Sequence, residues 1–199
     1  MHVRITTATG VTNLDAGVAV IRDEILPGLR QQNGFRGLAV SGDRASGMAM
    51  VLSQWDSAAD LDASESVAEK ARNDAMKAMG GEMTVARFEQ VLWEVVTQPS
   101  AGSKLQVRDI KMDPARIDEN LAFFEEAVVP EMKKAKGFLA VRNMINRDTG
   151  GGRVGTLWAD DESVQAWMAR TEERRAIARE HGVEFGQDRL LEVLLAAME

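Results

Sequence analysis

The chain has 199 residues, 45% of them hydrophobic, with a formal net charge of −7. That length holds one large domain or two small ones with cores of their own, so no disulfide or metal is needed to secure the fold. Cysteine and tyrosine are both absent, which excludes thiolate nucleophiles, zinc–thiolate sites and phenolic proton donors.

The charge divides evenly, with nine basic and thirteen acidic side chains in residues 1–98 and fifteen and eighteen in residues 99–199. Neither half is a basic module. Lys133, Lys134 and Lys136 read as a solvated helix end, so no nucleic-acid partner is expected. No apolar run reaches the roughly 18 residues of a membrane span, and Met1–Gly10 shows no basic stretch followed by an apolar one. A cytoplasmic location without membrane contact is the expectation.

In chain order, Val3, Ile5 and Thr7 alternate with more polar neighbours, as in a half-buried strand. Thr12 and Asn13 are helix N-cap candidates. Leu14, Val18, Ile21 and Ile25 then fall on one helical stripe, ending near Pro27, where proline stops or kinks a helix. Phe35–Ser41 and Met48–Trp55 form a hairpin. After Trp55 a helix is expected to run to about Met79 and end at Gly80, followed by a strand over Thr84–Val96.

The same order returns at a gap-free offset of 103. Pro27, Gly34, Phe35, Arg44, Gly47, Val51 and Trp55 recur as Pro130, Gly137, Phe138, Arg147, Gly150, Val154 and Trp158. The helical stripe recurs as Ile117, Leu121, Phe124 and Val128, and a second long helix is expected to run to about His181 before a strand over Arg189–Ala196. Gly150, Gly151 and Gly152 precede a strand rather than a helix, so they make a hairpin turn and not a phosphate loop. The chain therefore divides into repeats at 1–97 and 104–199, joined by a linker at 98–103. Each reads strand–helix–strand–strand–helix–strand, an α+β ferredoxin-like pattern. Its bare sheet face must be covered, most economically by packing the two sheets together as a pseudo-dimer.

A helix ending at Leu26-Pro27, Gly34-Phe35 opening a strand and Trp55 closing one, with Val129-Pro130, Gly137-Phe138 and Trp158 repeating them, resembles the antibiotic-biosynthesis-monooxygenase type of dimeric α/β-barrel domain. The resemblance covers nearly the whole chain and implies cavities between each sheet and its helices. It also implies cofactor-independent oxygenation of polyketide-type aromatics or, in one branch, haem degradation. Trp158 to Trp167 comes closest to the haem-degrading branch. That branch would want Asn near Asp109 and His near Ala176, a position flanked by Arg174, Arg175 and Ile177. Haem degradation is accordingly not expected.

The candidates for chemistry concentrate in the second repeat. Trp167, with Trp158 and Met144, is a candidate to bind a flat ligand; equally, it is a large core side chain on a stripe with Val164 and Thr171. Asp109, Arg142 and Asn143 are polar strand residues placed to act as acid–base groups or anchors, with Asp109–Arg142 as a possible internal pair. His181 is a candidate base near neutral pH, or simply a favourable residue at a helix C-terminus. No nucleotide loop, paired-His metal motif or nucleophile elbow occurs, so neither cofactor nor metal is expected. Two functions stay open. One is a cofactor-independent monooxygenase acting on an aromatic small molecule. The other is a non-catalytic binding or scaffold protein, as a monomeric pseudo-dimer or a homodimer of it.

Overall fold

The computed structural model describes residues 1–170 and 172–198, without the side chains of residues 172–174. The first alternating stretch is β1 (His2–Thr9). Asn13 caps α1 (Leu14–Val20) by accepting a hydrogen bond from the Ala16 amide at 3.1 Å. The helix then widens into a π-helical turn over Ile21–Ile25 and continues as α2 (Leu26–Leu29). Pro27 therefore does not end the helix. The wide turn lies just before it, where a missing amide would otherwise break the regular hydrogen-bond ladder.

β2 (Phe35–Asp43) and β3 (Met48–Trp55) form the expected hairpin. The long helix expected after Trp55 is two, α3 (Ala58–Ala63) and α4 (Glu65–Met79). The break falls at Ser64, whose hydroxyl donates to the Leu61 carbonyl at 2.7 Å, a bond of the kind that bends helices. Gly80, at φ 72°, ends α4, and β4 (Glu82–Val95) follows.

The second repeat begins with β5 (Lys104–Lys111), a 3₁₀ turn at Pro114–Arg116 and α5 (Ile117–Phe123). A second π-helical turn, Phe124–Val128, precedes Pro130 in α6 (Val129–Lys134). Then come β6 (Phe138–Ile145), β7 (Gly151–Trp158), α7 (Asp161–Met168), α8 (Glu172–Glu180) and β8 (Glu184–Met198). The single helix expected to reach His181 is again broken, after Met168. Thr171, expected on its apolar stripe, lies outside the described residues.

The strands are hydrogen-bonded in the order β1-β3-β2-β8-β5-β7-β6-β4, and the fold is that of two ferredoxin-like repeats. Two compact units divide the chain, Met1–Phe88 with the chain end from Glu192, and Glu89–Leu191. They depart from the repeat boundary because the last strand of each repeat is long, 14 residues in β4 and 15 in β8. In the first unit β2 pairs with Glu192–Met198, and in the second β6 pairs with Glu89–Val95.

The repeated residues have one structural meaning in both units. Phe35 meets Trp55 edge-on at 5.3 Å and 71°, and Phe138 meets Trp158 at 5.4 Å and 72°. Each indole donates to a hydroxyl two residues earlier, Trp55 to Ser53 at 3.1 Å and Trp158 to Thr156 at 2.9 Å. Gly34 and Gly137, at φ 70° and 75°, turn the chain into the strand carrying the phenylalanine. Arg44–Asp15 and Arg147–Asp118 are also counterparts, at 2.7 and 2.9 Å; on an exposed surface they contribute little.

A Cβ on Gly137 would sit 2.1 Å from Ser163 Oγ, in addition to the left-handed backbone that L-residues avoid. Gly137→Ala is expected to cost at least about 1–2 kcal/mol for the backbone alone. Gly28→Ala, where a Cβ meets nothing within 4 Å, is expected to leave stability unchanged or raise it. Thermal unfolding of the two variants checks both.

One part of the repeat is out of register. Arg4 pairs with Ser53, whereas Gln106 pairs with Thr156. Ser53 and Thr156 are 103 apart, but Arg4 and Gln106 are 102 apart. The second repeat has one extra residue between its first strand and helix, where the Pro114–Arg116 turn lies. Thr6 therefore matches Arg108, not Asp109. A one-residue slip in a strand moves a side chain to the opposite face.

Candidate ligand cavity

In the second unit a cavity of about 120 Å³ lies between the sheet and the helices. Alternation along β5 sends Gln106, Arg108 and Ile110 to it, and Val154 and Thr156 of β7 join them. Asn143 enters from β6. The helical wall is aromatic and aliphatic: Phe123, Phe124 and Val128 from α5 and the π-helical turn, Met132 from α6, and Trp167 from α7. A π-helical turn displaces side chains from regular helical positions, and here Phe124 and Val128 line the cavity.

Besides Arg175 of α8, the polar lining falls into two groups. Gln106 is fully engaged: its Nε2 donates to both Asp188 oxygens at 3.1 and 3.0 Å, and its Oε1 accepts from Thr156 at 3.4 Å. Arg108 is bound to Asp188 as well. Asn120 and Asn143 differ. They are 6% and 2% exposed, yet Asn143 Oδ1 and both amide atoms of Asn120 have no partner among the described residues. No carboxylate or imidazole lines the cavity among the described residues.

Of the residues singled out by sequence, Trp167 and Asn143 meet at this cavity. Trp158 stands behind Trp167, ring centres 5.6 Å apart, and is fully buried. Met144 is 3% exposed in the core and is not part of the lining. Arg142, next to Asn143, faces the other way, over the Trp93 ring at 4.2 Å. Its burial pulls the guanidinium down to about 10. Asp109 accepts from Arg153 at 3.0 Å and Arg189 at 2.9 Å. The expected Asp109–Arg142 pair is not formed, because Arg153 and Arg189 take the two Asp109 oxygens and Arg142 lies over Trp93. His181 stacks on Phe123 at 5.5 Å, with Nδ1 3.4 Å from Glu119. It contacts a wall residue without lining the cavity itself.

Asn120 is a cavity residue that sequence reasoning did not select, and Gln106 and Arg108 are polar first-strand residues whose facing the sequence left open between Arg108 and Asp109. Gln106 and Arg108 carry a signal, since i and i+2 polar residues share one face of a strand. Asn120 carries another: it lies three residues after Ile117 and four before Phe124, a polar residue on an apolar stripe.

No protein-family profile matches the sequence. The chain is 23% identical to the uncharacterized protein Rv2557 of Mycobacterium tuberculosis over 137 residues, 69% of this chain and 61% of that relative. It is 26% identical to Rv2558 of the same organism over 171 residues, 86% and 71% of the two chains. The match thus spans less than two thirds of the length of Rv2557. Among solved structures, a candidate monooxygenase of Fusobacterium nucleatum superposes with a TM-score of 0.70 at 11% identity, covering 100% of this chain and 94% of that one. An anthrone oxidase-like protein gives 0.65 at 13%, covering 100% and 92%. A ferredoxin-fold protein of Listeria monocytogenes related to antibiotic biosynthesis monooxygenases gives 0.54 at 7%, covering 96% and 95%. These likenesses define the fold, that of two tandem ferredoxin-like domains. Among the described residues no helix is long and apolar enough to cross a membrane.

Proposed function

We propose that the second unit binds a small, flat, electron-rich aromatic molecule against Trp167 and catalyses its oxygenation without a cofactor. The observation that carries this reading is the pair Asn120 and Asn143, buried amides with unpartnered atoms on the wall of an aromatic cavity. An unmade hydrogen bond of this kind costs about 1–3 kcal/mol. A phenol or enol hydroxyl of a ligand would offset that cost. At about 120 Å³ the cavity is of the order of the ~150 Å³ that admits benzene, so a substrate of one ring fits better than a fused polycycle.

The chemistry suited to such a site is oxidation of an activated methylene by one molecule of dioxygen, giving a ketone and one molecule of water. The carbon loses four electrons and dioxygen gains them. One oxygen atom enters the carbonyl, and the other leaves as water with the two methylene hydrogens. The substrate is its own reductant, and the protein binds, orients and excludes water. Arg108 adds positive potential where the substrate anion forms. With no carboxylate or imidazole in the described lining, the first proton must come from a substrate acidic enough to lose it to solvent. That same feature favours a second reading, in which the cavity binds an aromatic ligand without turning it over.

Oxygen uptake with a panel of one-ring phenols, enols and cyclic 1,3-diketones, alongside tryptophan-fluorescence titration, tests both. Oxygen uptake that falls at least about tenfold in Asn143→Leu supports the enzyme. Saturable quenching without uptake supports the binding protein, and neither signal rejects both readings. Asn143→Leu is expected to unfold at the same temperature as the parent or higher, because it removes an unpartnered polar atom from the interior.

A further inference from the structure

The first unit has its own cavity, of about 60 Å³, which the reading above leaves unused. Most of its lining is aliphatic, with Ile21, Leu29, Leu38 and Met79 on its walls. Set among them are two guanidinium groups, Arg4 on β1 and Arg72 on α4, with side chains 3% and 13% exposed.

These cations are incompletely matched. Glu65 Oε2 accepts from Arg4 at 2.7 Å, and Glu65 Oε1 accepts from Arg72 at 2.5 Å. Arg87 also binds Glu65, and it binds Asp62 at 2.6 Å. Three guanidinium groups thus share two carboxylates, leaving one positive charge over. The hydrogen-bond inventory agrees. Arg4 uses Nη1 on Ser64 and Nη2 on the Leu61 carbonyl and Glu65. Arg4 Nε, Arg72 Nε and Arg72 Nη1 are buried without a partner among the described residues. Buried donors on a charged group are expensive to leave unmade. An anion answers both deficits, and carboxylate is the anion that guanidinium groups bind with matched geometry.

We propose that the cavity of the first unit is a binding site for a small aliphatic monocarboxylate. Its carboxylate takes up the unmatched charge and free donors of Arg4 and Arg72, and its alkyl chain lies against Ile21, Leu29 and Met79. The aliphatic lining separates this ligand from inorganic anions, which would gain the charge but not the burial of a chain.

Titration calorimetry of the full chain with formate, acetate and propionate tests the proposal. Saturable binding at one site per chain is expected, tighter for acetate than for formate and absent for acetamide, which has the same shape without the charge. Arg72→Met is expected to weaken acetate binding at least tenfold. It should still fold, because Glu65 and Asp62 then match Arg4 and Arg87 one for one, and thermal unfolding without ligand checks this. Ala71→Leu, which places bulk in the lining, is expected to abolish binding. No saturable binding of any of the three acids overturns the proposal. So does equal affinity in Arg72→Met, acetamide binding as tightly as acetate, or inorganic phosphate displacing acetate at equal concentration.

Discussion

Trp158→Ala is expected to lower the free energy of unfolding by about 3–5 kcal/mol, the range for removing a large buried aromatic side chain. Trp158 is fully buried. Its ring packs edge-on against Phe138 at 5.4 Å and lies 5.6 Å from Trp167. Truncation leaves a void with apolar walls, and these walls are rigid strands and a capped helix that cannot close in on it. The Thr156 hydroxyl also loses the indole donor that fixes its orientation, and with it the bond from Thr156 to Gln106 at the cavity is loosened. The variant should therefore lose ligand quenching in the second unit as well as stability. Trp55→Ala is the internal control. Trp55 has the same edge-on phenylalanine and the same hydroxyl acceptor in the first unit. A comparable loss of stability is expected, with ligand quenching retained wherever the chain remains folded. Urea unfolding at neutral pH measures both losses. A cost below about 1 kcal/mol for either variant would show that the repeated Gly-Phe…Trp block does not organise the core.

That block explains why the scaffold was legible in the sequence. Its residues act locally: a glycine turn, a phenylalanine one residue later, and a tryptophan at the end of the paired strand. Constraints between neighbouring elements leave a fixed spacing, and spacing survives duplication. Other features depend on partners far away in the chain. The division of β4 and β8 between the two units depends on which strand each half meets, and neither strand encodes that by itself. The first-strand register was hidden by one residue in the turn before α5. This residue sufficed to direct attention to Asp109 when Arg108 and Gln106 face the cavity. Helix breaks were missed for a different reason: Ser64 interrupts an otherwise helical pattern by a hydrogen bond that helix propensity does not report. Asn120 was overlooked because an apolar stripe invites attention to its apolar members. The informative residue on such a stripe is the polar one, since burying it requires a partner or a ligand.

The charged cluster of the first unit makes the second large prediction. Glu65→Gln is expected to destabilise the protein by roughly 2–3 kcal/mol. Breaking a buried ion pair costs about 3–5 kcal/mol, and Glu65, 35% exposed, is discounted for solvent screening. The cost falls mainly on Arg4, which burial already pulls below its ordinary pKa and which Glu65 pulls back up. For Glu65, burial pushes the carboxyl up. The hydrogen bond from Arg72, with the charges of Arg4 and Arg72, outweighs this and holds it below the usual 4.5. A carboxyl depressed in the folded state stabilises fully above its unfolded value and loses that contribution as pH falls through the folded one. The gap between parent and Glu65→Gln should therefore be constant at neutral pH and narrow below about pH 4.5. Urea midpoints at pH 7, 5 and 3.5 measure it, and a gap that widens on acidification would remove Glu65 as the countercharge. The glutamine variant also raises the unmatched charge from one to two. If an anion fills that deficit, Glu65→Gln should bind acetate more tightly than the parent even though it is less stable, and acetate should restore part of the lost stability by mass action.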